Sequence, residues 1–128
     1  MPGIKRFEDI RAWQKARELV RDIYGICAKG ALKADFGLKN RLCRATVSSM
    51  SNIAEGFARR TDKDFAHFLD MAKGSVVEVQ SLLYVALDVL YIDTGDFERL
   101  TRLADETAVL IGGLTSYLRK HSAIPEVQ

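Results

Sequence analysis

The sequence predicts an all-α protein, an antiparallel up-down-up-down four-helix bundle. Three observations carry that prediction. Apolar residues recur every three or four positions in four separate stretches, the period of a helix with one buried face. No stretch alternates with the period of two that a half-buried strand requires, and Pro2 and Pro125 both lie outside the four stretches. The links between stretches are short, and short links set successive helices antiparallel.

The first helix is expected over about residues 9–28. Asp9 suits its N-cap, with Phe7 packing back on the first turn. Ile10, Trp13, Ala16, Val20, Ile23, Tyr24 and Cys27 form the main stripe, which Leu19 and Ile26 widen, and Gly30 ends it. Residues 30–37 read as a small-residue loop. The second helix is expected over about 38–59, with Leu38, Leu42, Thr46, Met50, Ile53 and Phe57 on one face. At about 100° per residue, Arg41, Ser48, Asn52, Glu55 and Arg59 make a polar stripe on another face. Thr61, with Asp64 three residues on, resembles a capping box and starts the third helix, about 62–91. Its apolar face runs from Phe65 and Leu69 through Val76 and Leu83 to Leu90. Asp93-Thr94-Gly95-Asp96 forms the next turn and cap. The fourth helix, about 95–120, carries Leu100, Leu103, Thr107, Ile111, Leu114 and Leu118, and residues around Pro125 read as a tail.

At 128 residues the chain suits one domain, 1–128, with a real core. No run approaches the apolar length of a membrane span, and Met1-Pro2-Gly3-Ile4-Lys5-Arg6 leads into charge rather than a signal core. The expected location is the cytoplasm, with Cys27 and Cys43 as buried free thiols rather than a disulfide or metal pair. Net charge is +2 but uneven: residues 1–73 hold 15 Lys/Arg against 9 Asp/Glu, and residues 74–128 hold 4 against 8. The basic half fits nucleic acid, an acidic partner, or the acidic half of a neighbouring copy.

Asn52-Ile53-Ala54-Glu55-Gly56-Phe57, followed by Arg59-Arg60 and Phe65…Phe68-Leu69, resembles a known family. Phe7-Glu8-Asp9-Ile10…Trp13-Gln14-Lys15-Ala16, Leu42…Arg44-Ala45 and Ala72-Lys73-Gly74-Ser75…Glu78 extend the likeness to about residues 7–120. The chain looks like the four-helix-bundle proteins encoded in intervening sequences of bacterial 23S ribosomal RNA genes. Members often carry a proline just before the serine of this stretch, where Met50-Ser51 stands here. That departure predicts a straighter second helix. The resemblance implies a homopentamer and nucleic-acid binding. A related bundle serves diversity-generating retroelements as an accessory protein that binds nucleic acid and a reverse transcriptase. The family supplies no catalytic residues to carry over.

Glu55 and Glu78 are the first suspects for acid/base or metal chemistry. A di-metal bundle needs Glu-x-x-His, and neither His67 nor His121 is so placed, so no metal, cofactor or catalytic residue is predicted. The structural reading joins Asn52, Glu55, Ser75 and Glu78 in one polar network. Glu55 pairs with Arg59, and Asn52 reaches Ser75 or Glu78 where Gly56 and Gly74 let the helices approach closely. Ser48, Ser49 and Ser51 have no adjacent histidine, and no phosphate-cradling glycine loop occurs. Arg59, Arg60, Lys63, Arg11 and Lys15 are the expected nucleic-acid-binding residues, while Arg41 and Arg44 fall near the polar seam and are expected to pair internally.

The function read from the sequence is a non-enzymatic homo-oligomer, five copies on the resemblance, binding RNA or DNA through a basic surface. The competing reading is an accessory module for a polymerase-like partner such as a reverse transcriptase. Self-assembly has two supports besides the resemblance. Leu19, Ile26, Leu82 and Val85 exceed what one small bundle is expected to cover, and basic and acidic halves suit head-to-tail closure into a ring.

Overall fold

The computed structural model describes the backbone of residues 3–126 and the side chains of residues 3–121. A 3₁₀ turn, Phe7–Asp9, precedes α1, Arg11–Cys27. Then follow α2, Gly30–Ala34, α3, Phe36–Phe57, α4, Asp62–Asp88, and α5, Thr94–Glu126. The protein is all-α: α1 packs on α3 and α5, and α4 packs on the same two helices from the opposite corner. Four long antiparallel helices thus close a square around one core, with α2 as a short connecting piece.

Several boundaries differ from the sequence reading, each for a local reason. Asp9 is not the cap of α1. It closes the 3₁₀ turn, and buried Ile10 takes the N-cap position without a side-chain bond. Phe7 does pack back, edge-on to Trp13 at 5.1 Å. The expected loop at 30–37 is instead a helical turn, pinned by fully buried Leu32, and Gly30 enters it with φ +60°. Asp35 caps α3: one carboxylate oxygen accepts from Leu38 N at 3.1 Å and the other from the Tyr91 hydroxyl at 3.0 Å. α3 is unbroken through Met50-Ser51. Thr61 Oγ1 accepts from Asp64 N at 3.1 Å and Asp93 Oδ1 from Asp96 N at 2.8 Å, the two caps that the sequence announces. α5 runs beyond residue 120 and takes in Pro125, where a tail was expected.

α4 stops at Asp88 rather than near Tyr91. Leu90 adopts a left-handed φ of 63°, and Tyr91 N reaches back to Ala86 O at 2.9 Å. That is the closing pattern in which glycine normally stands. Leu90, read as the last residue of a buried stripe, is 86% exposed.

The core covers more apolar area than the sequence suggested. Leu19, Ile26 and Leu82 are all buried within one chain, because α1 and α4 each lie against two helices and hide a wide stripe. Of the four surplus residues only Val85 stays exposed. Cys27 is buried and Cys43 half-buried, and both are free thiols. Burial first, then the neighbouring Cys43, pushes the Cys27 thiol up to about 12. Among the described residues, no helix is long and apolar enough to cross a membrane.

Candidate functional site

The seam between α3 and α4 gathers most of the polar residues singled out in the sequence. Gly56 is a point of close helix approach. A Cβ there would sit 2.7 Å from Phe68 Cβ and 2.8 Å from Phe65 Cδ1, so only glycine lets α4 approach this closely. Gly74 has no such role, since a Cβ on it meets nothing within 4 Å.

Four to eight residues back along α3 lies a hydroxyl-amide cluster. Asn52 Nδ2 donates to Ser48 O at 2.9 Å and to Ser48 Oγ at 3.0 Å. Ser75 Oγ on α4 lies 2.9 Å from Ser48 Oγ and 3.2 Å from Met71 O. Ser48 is therefore the bridge between helices, and Asn52 reaches Ser75 only through it. The helical period placed Ser48 on the polar stripe but could not single it out, because its partner lies 27 residues away.

Two turns further back, Arg41 Nη2 meets Glu78 Oε2 at 3.5 Å, a half-exposed pair. Arg44 stands beside it on the same face and, among the described residues, forms no ion pair. The expectation of internal pairing thus fits Arg41 and fails for Arg44. Arg41, Arg44, Ala45, Ser48, Ser75 and Glu78 line a concavity of about 470 Å³.

Glu55 lies outside the network. It is exposed, and its carboxylate makes no hydrogen bond or ion pair among the described residues. Arg59, its expected partner, lies over the Phe68 ring at 4.5 Å instead. The pairing fails because Phe68, held close by Gly56, offers the guanidinium a face that Glu55 does not compete with. Arg59 shares the α3–α4 corner with Arg60 and Lys63, all exposed. Arg60 and Lys63 have no acidic partner within ion-pair distance among the described residues, although Asp62 and Asp64 share the corner.

Of the two α1 cations, Lys15 is engaged by Glu106 at 3.5 Å and Glu18 at 3.8 Å. Arg11 is exposed and lines a shallow α1–α5 concavity with Arg102 and Val109. Lys15–Glu106 and Arg41–Glu78 join cations of the basic first half to carboxylates of the acidic second half inside one chain, whereas Arg99–Asp22 and Arg119–Asp70 run the other way. Part of the charge complementarity offered for ring closure is therefore satisfied internally. No group of His, Cys, Asp or Glu able to hold a metal occurs among the described residues.

The sequence profile of the 23S rRNA-intervening sequence proteins matches residues 8–113. The chain belongs to that family. Its matched span includes the whole α3–α4 seam, both corner arginines and the Ser48–Ser75 bridge. The bundle overlays on a crystal structure of a protein of unknown function from the S23 ribosomal protein family of Bacteroides thetaiotaomicron, with a TM-score of 0.74 and 20% identity. The overlay covers 81% of this chain and 97% of that one, and at this identity it shows a shared fold. Among curated proteins, none matches the chain.

Proposed function

We propose that this family member is a non-enzymatic, self-assembling bundle that binds nucleic acid through cations on its surface. The observation that carries the reading is the α3–α4 corner. Arg60 and Lys63 are exposed there without ion-pair partners among the described residues, and exposed Arg59 lies over the Phe68 ring at 4.5 Å. Cations left free in this way engage phosphates. Asp62 and Asp64 reduce the corner to a net +1, so one chain binds weakly. Repeating the corner around an oligomer places several copies on one polyanion and multiplies affinity without new contacts. The family name, which refers to 23S ribosomal RNA, makes structured RNA the first probe, with duplex DNA beside it.

The test is binding of labelled RNA and DNA across a salt series, with size measured by light scattering on the same samples. Wild-type affinity is expected to fall steeply with salt. Arg60→Ala with Lys63→Ala flattens the logarithmic slope by about two per engaged subunit. A monomer at micromolar concentration, or no binding in low salt, refutes the reading.

The second reading, an accessory module for a protein partner such as a polymerase, is favoured by one observation. Phe36 and Leu90, 68% and 86% exposed, stand at the end of the bundle where Tyr91 bonds Asp35. Loss of partner binding by Phe36→Ser with nucleic-acid affinity intact selects it.

A further inference from the structure

We propose that the α3–α4 concavity is a phosphoryl-binding site, in which Arg44 and Arg41 take the oxyanion and the Ser48–Ser75 pair supplies a hydroxyl donor. This site is separate from the corner cations, and it does not depend on the nucleic-acid reading.

The argument begins with charge. Two arginines on successive turns of α3 face one carboxylate, Glu78, leaving the concavity at a net +1. Arg44 has no anionic partner among the described residues, and Arg41 has only a single 3.5 Å contact to Glu78. A planar guanidinium fork fits a tetrahedral oxyanion better than one long contact to a half-exposed carboxylate. An arriving phosphoryl group displaces Glu78 from Arg41 and gives Arg44 its first partner.

The hydroxyls supply the second part. Ser48 Oγ accepts a hydrogen from Asn52 Nδ2, which occupies one of its two lone pairs and leaves the other for Ser75. Ser75 has one hydrogen for two acceptors, Ser48 Oγ at 2.9 Å and Met71 O at 3.2 Å. When Ser75 donates to Ser48, the Ser48 hydrogen is left free, and Ser48 is one of the residues lining the concavity. Asn52 is buried and Ser48 half-buried, so the donor is held in place by the helix seam. Ala45, small and at the floor, leaves the two arginines room to converge. The volume, about 470 Å³, admits a phosphoryl group together with the sugar or other alcohol that it esterifies.

A phosphoryl group reaches such a site as a small phosphate or as one link of a nucleic-acid backbone, and two probes separate these sources. Wild type, Arg44→Ala and Glu78→Gln are titrated with inorganic phosphate by calorimetry and with a short single-stranded oligonucleotide by fluorescence. Thermal melts and light scattering run alongside. Phosphate is expected to bind the wild type, tenfold or more weaker to Arg44→Ala, and severalfold tighter to Glu78→Gln, which removes the competing anion. Opposite signs at neighbouring positions are something that a purely structural role does not produce. Oligonucleotide affinity moving in the same two directions makes the backbone the source, whereas phosphate responding alone makes it a small phosphate. No phosphate or oligonucleotide response to either variant overturns the site. So does an Arg44→Ala variant that changes oligomer size at unchanged affinity, because that places Arg44 in a subunit contact. Arg60→Ala with Lys63→Ala leaves phosphate affinity unchanged, so the failure of one proposal is distinguishable from failure of the other.

Discussion

Gly56→Ala and Gly74→Ala are expected to move stability in opposite directions, although both replace a glycine inside a long helix. Removing a helix-interior glycine gains about 1 kcal/mol in either case. At Gly74 nothing opposes that gain, since the new methyl meets no atom within 4 Å. At Gly56 the methyl would stand 2.7 Å from Phe68 Cβ, 2.8 Å from Phe65 Cδ1 and 3.3 Å from Phe65 O. Carbon atoms pack best at about 3.5–4.0 Å, so roughly 1 Å must be found. Phe68 Cβ is fixed to the α4 backbone and cannot rotate away, so the helices themselves must separate. Overpacking of this kind costs about 1–3 kcal/mol, and a backbone shift belongs at the upper end. The net expectation is a loss of about 2 kcal/mol for Gly56→Ala against a gain of about 1 kcal/mol for Gly74→Ala. For a domain of this size that is roughly an 8 °C fall against a 4 °C rise in melting temperature. Urea denaturation followed by circular dichroism measures both. A Gly56→Ala protein that melts at or above wild type refutes the close-approach argument.

Three further outcomes follow from single observations. Leu90→Gly is expected to stabilise by about 0.5–1 kcal/mol, because it relieves a left-handed leucine and loses no packing at 86% exposure. A lower melting temperature would mean that a second chain covers Leu90. Thr46→Val should raise the urea midpoint by an amount worth about 1 kcal/mol, since Thr46 Oγ1 is buried without a hydrogen-bond partner. A fall would show that water reaches the hydroxyl. Cys27 titrates ordinarily near 9.0 but only at about 12 in the fold, chiefly through burial and then through Cys43. Between those values the folded chain keeps a proton that the unfolded chain releases, so stability drops as pH rises through that window. Tyr24, raised by burial and then by Cys43, acts in the same direction. Cys27→Ala should reduce the alkaline slope of the denaturation midpoint, and an unchanged slope counts against the assignment.

Two of the helix caps encoded within one turn were legible in the sequence. The Thr61 and Asp93 caps each involve partners three residues apart, and both bonds form. Asp35 was missed because half its role depends on Tyr91, 56 residues away. The short α2 was missed because its glycine and alanines read as loop, and only burial of Leu32 holds it helical. The surplus-area argument failed at Leu19, Ile26 and Leu82 for a related reason. Periodicity reports the direction of a stripe, but its allowed width depends on how many neighbours a helix has, and α1 and α4 each have two.

Of the polar stripe of α3, Arg41, Ser48 and Asn52 take part in the contacts with α4 while Glu55 stays out of them and Arg59 lies on an aromatic ring, and the fold explains the division. Side chains that bridge α3 and α4 lengthen steadily from one end of the seam. At Gly56 the backbone itself meets Phe68, at Ser48 two short hydroxyl side chains span the gap, and at Arg41 a full arginine and glutamate are needed. Near Gly56 there is no room for a carboxylate between the helices, so Glu55 turns to solvent and Arg59 lies on the ring. Where the gap widens, polar groups fit inside it and the concavity opens. The glycine that reads as a packing device is thus expected to influence the width of the groove two and four turns away. Substituting it should disturb the Arg41–Arg44 concavity as well as the core. A Gly56→Ala protein that retains phosphate affinity after its predicted loss of stability would show that the groove is held by Ser48 and Ser75 alone.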